Sequence, residues 1–534
     1  MSTRHLLLPM QPTPNGRLHI GHGGGPYLRA DVLARAIRRD GGQVAIITGT
    51  DAYENWVLAD ALTSGRSPAQ TCAYFHAGIS ADLANLGVQV DTWIDPLSAE
   101  HAGLYTRLHH DLLQRLRDSG AAQLQNEQIP VGASTQNPIV GVWIAGRCPT
   151  CRADCGGNTC TSCGDSFTPE EILDPRSRLT DEPLTWASRS NWFVQPPDPA
   201  TITAGLEATG LSEVFLEPAR RYVERRQARI RLSQPGTWGV SSPLAPSGSV
   251  LSNSYTAYSL YCAQVDAQQH GEAMNAMDRE SDVQVTGFFG TDNSIGGLVA
   301  PHVIAQASRR FRPHDHTVVN HMLHFEGRKC STSQRHGLWI SDLIEGTSLT
   351  TDELRYALCH LAMDQDVVDV TSQYLVEQVN TLRRWRRAQL RFAMTTAAGA
   401  PPAPLIDDLQ HQVARQSDHL APQTFSLACA TTVLDEWMFD DRIELDRPDM
   451  ATGWLLGTAI LAAPITPHLA NDLWAAFSLP GSPHLAALTD LSSRAEPRAK
   501  SGQTPATYSA LELITTTELL AHTQREPTVE SSST

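Results

Sequence analysis

Two short motifs, about 300 residues apart, constrain this chain more than any other feature of its sequence. His19-Ile20-Gly21-His22 follows an apolar run at 6–8 and a turn rich in Pro, Asn and Gly, and it precedes a helix-like segment at 26–39. A strand, a turn and a helix N-terminus together form a place where backbone N–H groups and the helix dipole favour phosphate. The second motif, Lys329-Cys330-Ser331-Thr332-Ser333, offers one ammonium group and three hydroxyls that can close on the same phosphates. The pair predicts a nucleotide-activating site.

Strand and helix patterns alternate over residues 4–116. This alternation predicts an α/β fold built on a parallel, doubly wound sheet, with ligands at the C-terminal ends of its strands. Two later strand-like segments, at 283–289 and 317–319, are expected to return to the same sheet and complete it. The alternating segments are the strands at 6–8 and 44–47 and the helices at 26–39, 72–86 and 104–116.

With these segments in place, the chain resembles the class I aminoacyl-tRNA synthetases, whose two nucleotide-binding signatures read HIGH and KMSKS, and within that class the methionyl type. The resemblance runs from about residue 4 to about residue 345 and continues more faintly to about residue 480. Gly49-Thr50-Asp51 stands where the family has an aspartate that binds the substrate's α-amino group. Gly290-Thr291-Asp292 stands where the family has an acid on the ATP ribose, and Trp238-Gly239-Val240 is also similar.

The resemblance implies ATP-dependent formation of an aminoacyl adenylate, in which the substrate carboxylate attacks the α-phosphorus and pyrophosphate leaves. No protein nucleophile is needed, so positioning and charge neutralisation carry the catalysis. Mg²⁺ is implied together with ATP by the charge of the phosphates. Carried over by motif, the catalytic residues are His19, His22 and Lys329, the ATP-binding residues are Gly21, Gly23, Asp292, Ser331 and Ser333, and the amino-acid-binding residues are Gln11, Thr13, Asp51 and Gly297.

The sequence departs from the family mainly around the amino acid. Gln11-Pro12-Thr13 replaces an apolar residue, a proline and a tyrosine, and Gly296-Gly297 replaces an aromatic residue and a histidine. The family's aromatic strand has only a loose counterpart at 250–256, and Thr332 replaces the second lysine of KMSKS. A thioether needs an apolar, aromatic-lined slot. We therefore expect an amino acid other than methionine.

Five of the ten cysteines fall between positions 148 and 163, a distribution that argues against a disulfide framework across the fold. Two Cys-x2-Cys hooks, Cys148 with Cys151 and Cys160 with Cys163, can each grip one side of a tetrahedral ion. Four thiolates leave no open coordination position, so the pattern predicts structural Zn²⁺ rather than a catalytic metal. Cys155 is either a spare thiol or a ligand that replaces one of the four.

Changes in sequence character predict the following organisation. After about residue 488 the sequence turns polar, and part of this C-terminal tail is expected to be disordered. The segments are the first half of a Rossmann-type catalytic domain (1–116), an inserted connective domain with the zinc knuckle (117–248), the second catalytic half (249–325), the KMSKS-like loop and its stem (326–350), an anticodon-binding-like bundle of four or five helices (351–488) and the polar tail (489–534).

A net charge of −16 argues against a protein whose whole surface is a nucleic-acid footprint. Two arginine clusters, at 220–231 and 383–391, are typical of solvated helix faces, although either could be a local basic stripe. The anticodon-contacting residues of the family have no clear equivalent around 435–437. No signal region precedes the first strand and no run of eighteen apolar residues occurs, so we expect a cytoplasmic protein without membrane contact.

Three functional interpretations remain open at this stage. The first is a methionyl-type synthetase that charges a tRNA, which the retained helical region favours. The second is a tRNA-independent paralogue in specialised metabolism that esterifies a small hydroxylamine or alcohol, which the polar pocket and the acidic balance favour. The third, a non-enzymatic tRNA-binding module, is opposed by the intact His19 motif with Asp51, Asp292 and Lys329. The oligomeric state is left open.

Overall fold

The computed structural model describes residues 3–160, 162–252, 255–332, 334–491 and 512–521. A five-stranded parallel sheet in the order β13-β12-β1-β2-β3 lies at its centre. The strands are β1 Arg4–Pro9, β2 Gln43–Gly49, β3 Thr92–Ile94, β4 Ala122–Gly132, β5 Ile144–Arg147, β6 Asp154–Gly156, β7 Leu173–Ser177, β8 Leu184–Val194, β9 Ile230–Arg231, β10 Ser233–Pro235, β11 Ser249–Leu251, β12 Gln284–Gly290, β13 His316–Asn320, β14 Leu323–Phe325, β15 Arg328–Lys329 and β16 Val368–Val370.

Helices cover both faces of the central sheet and form the C-terminal part of the molecule. The helices are α1 Ile20–His22, α2 Leu28–Arg39, α3 Val57–Ser64, α4 Pro68–Asn85, α5 Ala102–Asp118, α6 Pro199–Glu207, α7 Glu213–Arg226, α8 Tyr255–Gln269, α9 Ala300–Ser308, α10 Ile340–Gly346, α11 Thr351–Cys359, α12 Ser372–Trp385, α13 Arg391–Thr396, α14 Ala403–Leu420, α15 Leu427–Met438, α16 Pro448–Ala462, α17 Pro467–Ala476, α18 Ala486–Leu491 and α19 Thr516–Ala521.

The apolar run in β1 explains why this strand is central. Leu6, Leu7 and Leu8 are fully buried, and alternate side chains enter different cores. Leu7 packs with α2 and the C-terminal helices, whereas Leu6 and Leu8 pack with α5, α8 and α9. A strand buried on both faces is what a doubly wound sheet requires. The predicted parallel α/β fold is confirmed.

Helix α2 begins two residues later than predicted because the chain first forms a π-helical turn over Gly23–Tyr27. Gly25 has non-helical angles there (φ −79°, ψ −123°), and Pro26 cannot donate a helical hydrogen bond. A Cβ at residue 25 would lie 3.3 Å from the amide nitrogen of Asn320. The triple glycine therefore lets the helix entrance approach the end of β13.

The segment between the two halves of the sheet has its own folding units. β4 and β8 form an antiparallel ribbon of eleven residue pairs, and β5, β6 and β7 form a small sheet around the cysteines. Helices α6 and α7 follow, which the short, proline-containing sequence pattern did not reveal. Their apolar faces pack on α9 and on the turn at Ile295–Val299.

Six helices fill the described region from 351 to 476, where four or five were expected, because a π-helical turn at Arg386–Leu390 joins α12 and α13 into one continuous helix. Arg355 on α11 fixes this region to the sheet, because its buried guanidinium donates to the carbonyls of Ile465 (2.8 Å) and Pro464 (2.9 Å) and pairs with Asp31 of α2 (2.8 Å). Part of the expected polar tail is structured, since α19 packs on α12. The remaining tail residues, 492–511 and 522–534, lie outside the described residues. None of the described helices is long and apolar enough to cross a bilayer.

Candidate active site

The C-terminal ends of three adjacent strands bring the predicted site residues to one edge of the sheet. β1 pairs in parallel with both β2 and β12, so the segments that follow these strands lie side by side. The His19 motif follows β1, Asp51 follows β2 and Asp292 follows β12. This edge is where an open α/β sheet binds its ligands.

The two histidines of the first motif hold each other in place. His19 is the N-cap of α1, and its Nδ1 accepts hydrogen bonds from the backbone N–H groups of Gly21 (3.1 Å) and His22 (3.3 Å). In return, Nδ1 of His22 accepts from the backbone N–H of His19 at 3.4 Å. The rings stack with centroids 3.8 Å apart. This reciprocal capping box fixes both side chains before any ligand binds.

Both imidazoles are neutral at physiological pH. Burial, followed by the charges of His22 and Lys329, holds the pKa of His19 well below its usual range, and burial with Lys329 lowers the pKa of His22 to about 4. Because each Nδ1 accepts hydrogen bonds, the single ring proton lies on Nε2. The pair can therefore offer two N–H donors to a phosphate without adding positive charge.

Backbone pairing ties the Lys329 loop to the His19 motif. The N–H of Ile20 donates to the carbonyl of Leu338 (2.9 Å), and the N–H of Ile340 donates to the carbonyl of Leu18 (3.1 Å). Within the loop, Ser331 and His336 exchange backbone hydrogen bonds of 2.7 and 3.0 Å. Ser333 lies outside the described residues. The two motifs predicted from the sequence thus lie next to each other.

Lys329 brings a positive charge close to Asp292. Its Nζ lies 3.7 Å from Oδ2 of Asp292, and about 30% of each side chain is exposed. The sequence contains only one other lysine, Lys500, among 41 lysines and arginines. A compact ammonium group is thus kept where a strongly hydrated point charge can meet phosphate oxygens, while arginine serves elsewhere.

Two of the glycines assigned to ATP have packing reasons to lack a side chain. A Cβ at Gly21 would lie 3.0 Å from the ring of His19, and a Cβ at Gly23 would lie 2.8 Å from Cδ1 of Ile340. Both distances are shorter than ordinary carbon contacts. The glycines thus make room for the capping histidine and for the stem of the loop, whatever further room they give to a nucleotide.

Three of the predicted amino-acid residues, Gln11, Thr13 and Asp51, lie in the turns after β1 and β2, whereas Gly297 lies in the turn at Ile295–Val299 that follows β12. The N–H of Asp51 donates to the carbonyl of Pro12 (2.9 Å), which joins the two turns directly. Gln11 is buried, and its amide donates a long bond of 3.5 Å to the carbonyl of Pro9. Thr13 is partly exposed in the same turn. A Cβ at Gly297 would lie within 2.5–2.7 Å of the Phe289 ring, so no side chain fits there.

Two phenols and a thiol lie close enough to Asp51 to interact with its carboxylate. Burial, followed by the Asp51 carboxylate, holds the pKa of Tyr105 well above its usual range. The pKa of Tyr258 is also well above its usual range, because of burial first and then of Cys262, Tyr105 and Asp51. Tyr258 donates to the carbonyl of Thr50 at 3.2 Å. Burial, Asp95 and Asp51 raise the pKa of Cys72 to about 12. These groups remain protonated, so this side of the site is polar but carries no positive charge.

Sequence reasoning missed Glu54, three residues after Asp51. It is partly exposed, and burial raises the pKa of its carboxyl to about 7. The backbone N–H of Asn55 donates to this carboxyl and lowers its pKa less than burial raises it. A carboxyl with a perturbed pKa beside a ligand site is a functional candidate. The only sequence signal was its position in the turn after β2, which does not reveal burial.

The four predicted zinc ligands come together at the small β5–β7 sheet. The Sγ atoms of Cys148, Cys151, Cys160 and Cys163 all lie within 4.8 Å of one another. The Cys148–Cys163 and Cys151–Cys160 separations are 3.8 and 3.6 Å. Tetrahedral Zn–S bonds of about 2.3 Å place two sulfurs about 3.8 Å apart, so the thiols fit this metal. Cys155 stays outside the group, with a pKa raised to about 12 mainly by burial.

Comparison with known proteins agrees with this geometry. Residues 10–382 match the family model described as tRNA synthetases class I (M). The chain belongs to this family. The proteins named methionine–tRNA ligase from Cytophaga hutchinsonii and Salinibacter ruber are each 25% identical, over 69% and 71% of this chain and 55% of their own lengths. The chain therefore spans just over half the length of these curated relatives.

A solved methionyl-tRNA synthetase has a similar fold. The Mycobacterium tuberculosis enzyme in complex with methionyl-adenylate superposes with a TM-score of 0.67 at 17% identity, covering 91% of this chain and 96% of its own. The apo form of that enzyme gives a TM-score of 0.61 at 15% identity. At these identities the likeness establishes the fold alone.

Intramolecular acids occupy most of the arginines in the two basic clusters of this synthetase. Arg383 and Arg386 are buried and pair with Glu353, so the prediction of a solvated helix face is wrong for these two. Arg384, Arg387 and Arg391 are exposed. In the first cluster the described partners are Glu207 and Glu213 for Arg220, Glu217 for Arg221, Asp165 for Arg225, Glu171 for Arg226, Gln125 for Arg229 and Glu127 for Arg231.

Proposed function

We propose that this methionyl-type synthetase homologue activates an amino acid with ATP as its aminoacyl adenylate and transfers the aminoacyl group to an acceptor hydroxyl. The observation that carries the proposal is the meeting of the His19 motif, Lys329, Asp292 and Asp51 at one edge of the sheet. These groups match the parts of the reaction: phosphate donors, a leaving-group cation, a ribose acceptor and an ammonium acceptor. Family membership supports the same reaction class.

Activation needs the substrate carboxylate in line with the α-phosphorus. Asp51 accepts from the ammonium group, and Asp292 accepts from the ribose hydroxyls once ATP separates it from Lys329. The Nε2–H groups of His19 and His22 donate to phosphate oxygens. Lys329 then stabilises the charge that builds on pyrophosphate as the Pα–O bond breaks. Mg²⁺ arrives with ATP and neutralises further phosphate charge.

The amino acid in this proposal is not methionine. Gln11 is buried and its amide donates a long bond of 3.5 Å to the carbonyl of Pro9. The aromatic side chains near Asp51 carry polar groups, namely the phenols of Tyr105 and Tyr258 and the indole of Trp238, which donates to the carbonyl of Ala52. A buried amide that lacks good partners favours a ligand that can hydrogen-bond to it and disfavours an apolar thioether. The pocket thus favours a polar amino-acid side chain.

The acceptor separates two versions of the function. In the parent reaction it is the terminal hydroxyl of a tRNA, and the retained helical region supports this version. The second version is transfer to a small hydroxylamine or alcohol without tRNA. The internal pairing of the 220–231 arginines favours it, because guanidinium groups already paired with carboxylates contribute less to phosphate binding.

Pyrophosphate exchange into ATP, screened over the common amino acids, tests the activation step without any acceptor. We expect exchange that depends on a polar amino acid and disappears when that amino acid is omitted. Dominant dependence on methionine would refute the pocket argument, and the absence of exchange with every amino acid would support a non-enzymatic module. Charging of total tRNA with the active amino acid then distinguishes the two acceptors.

Structural Zn²⁺ in the four-cysteine group is the proposed role of the knuckle. Cys160→Ser should abolish zinc binding and destabilise the β5–β7 unit, because metal binding by four thiolates is coupled to folding. Cys155→Ser is the matched control and should retain about one zinc per chain. Metal analysis with thermal unfolding measures both. Loss of zinc in the Cys155 variant instead would show that this thiol replaces one of the four ligands.

A further inference from the structure

Thr332, which stands where the family carries a second lysine, packs against the turn that precedes the His19 motif. A Cβ at Gly16 would overlap Cγ2 of Thr332, whereas Cβ and Oγ1 of Thr332 lie 3.5 and 3.9 Å from that position. The methyl group of Thr332, rather than its hydroxyl, therefore faces the backbone of Gly16. Because Gly16 has no side chain, the methyl group of Thr332 can occupy the space that a Cβ at position 16 would take.

The loop around Thr332 is held at both of its ends. On one side, the N–H of Cys330 donates to the carbonyl of Leu323 (2.9 Å). On the other side, a ring nitrogen of His336 lies 2.8 Å from the carbonyl of Phe325, and the segment around Trp339 forms a β-bridge with His19. The Thr332–Gly16 contact joins the part of the loop between these anchors to the phosphate-binding turn.

Charge cannot draw Thr332 toward ATP. A lysine at this position would be attracted by the triphosphate, but a threonine methyl gains only from contact with other carbon atoms. The backbone of Gly16 provides that contact in the protein alone. Lys329 itself lies in β15, where it pairs with His324 of β14, and the Thr332 contact restrains the loop that follows this strand.

We propose that Thr332 is a positioning residue, whose methyl group packs on Gly16 and holds the Lys329 loop closed over the nucleotide site before ATP binds. The loop of this chain is thus preorganised by packing, where a second lysine would be recruited by the ligand's charge. The proposal rests on the proposed function only for its effect on ATP use. Its structural part concerns Lys329 in the free protein.

The scarcity of lysine makes the closed loop measurable. In the ligand-free full chain, the modification rate of Lys329 by an amine-reactive reagent can be followed by mass spectrometry, with Lys500 quantified in the same digest. Thr332→Ser removes the methyl and keeps the hydroxyl, whereas Thr332→Val keeps the methyl and removes the hydroxyl. We expect Thr332→Ser to raise the Lys329 rate about two- to fourfold, the scale of one lost methyl contact, and Thr332→Val to leave it unchanged.

Gly16→Ala approaches the same contact from the other side. Its new Cβ should displace Thr332 and raise the Lys329 rate at least as much as Thr332→Ser does, with thermal unfolding as a check on folding. In pyrophosphate exchange, the KM for ATP of Thr332→Ser should exceed that of Thr332→Val by a similar factor, with little change in kcat. A purely structural role would not separate these two variants.

Equal Lys329 rates in the wild type, Thr332→Ser and Thr332→Val would overturn the proposal. So would a rise in Thr332→Val alone, because the hydroxyl would then be the anchor. If Lys329 responds as expected while the wild type catalyses no exchange, the packing contact is established and the proposed activation reaction fails. The two claims can therefore fail separately.

Discussion

The nucleotide half and the amino-acid half of this site have diverged to different degrees. On the nucleotide side, His19, His22, Asp292 and Lys329 adopt an arrangement that a class I synthetase can use for ATP. On the amino-acid side, Asp51 matches the family pattern, whereas Gln11-Pro12-Thr13 and Gly296-Gly297 differ from it. In the proposed function one reaction is therefore kept while its substrate changes, because the chemistry of phosphate is confined to separate strand ends.

The largest effect is expected on the nucleotide side. Lys329→Ala should slow pyrophosphate exchange by about a hundredfold or more, because a preorganised cation on the leaving group is worth a few kcal/mol. Lys329→Arg keeps the charge and serves as the matched control, with a smaller loss. An unchanged rate in the alanine variant would show that the loop takes no part in activation. The nucleotide half would then not be the better preserved of the two.

Asp51, the residue of the amino-acid half that matches the family pattern, should give the next largest effect. Asp51→Asn removes the charge that receives the ammonium group, so kcat/KM for the amino acid should fall about ten- to a hundredfold, the worth of a hydrogen bond to a charged group. The KM for ATP should change little. Steady-state exchange with each substrate varied in turn measures both constants. Equal losses for the two substrates would contradict a role confined to the amino acid.

Changing the departing residues toward the family pattern tests the amino-acid half directly. Gln11→Leu combined with Thr13→Tyr should shift the preference toward methionine by about tenfold, the discrimination that a few apolar contacts provide. The ratio of kcat/KM for methionine to that for the preferred amino acid is the quantity to compare with the wild type. A ratio that stays constant would place specificity elsewhere.

The neutrality of the histidines predicts a modest pH effect on stability. The unfolded chain takes up a proton on His22 near pH 6.5, whereas burial and Lys329 lower the folded pKa to about 4. The unfolded state therefore binds more protons between these values, and the free energy of unfolding should fall as pH falls, by about 1 kcal/mol between pH 7 and 5.5. His22→Asn should show a flatter dependence in denaturant titrations. Parallel curves would show that folding does not lower the pKa of His22.

Much of the architecture could be predicted, because periodicity is a local signal. The alternation around 6–8 and 44–47 led to the parallel sheet, and the two Cys-x2-Cys hooks led to the four-sulfur group. Contacts between distant segments could not be read in this way. The Thr332–Gly16 contact, the burial behind the raised pKa of Glu54 and the burial of Arg383 against Glu353 all depend on tertiary packing. The roles of the individual site residues stay predictions until they are tested.

The identity of the adenylate formed by the protein tests the central claim most directly. The full chain would be incubated with ATP, Mg²⁺ and an equimolar mixture of the common amino acids, and the bound product would be identified by its mass. The account predicts the adenylate of a polar amino acid, which forms about a hundredfold more slowly in Lys329→Ala. Methionyl-adenylate as the main product, or no adenylate at all, would contradict it.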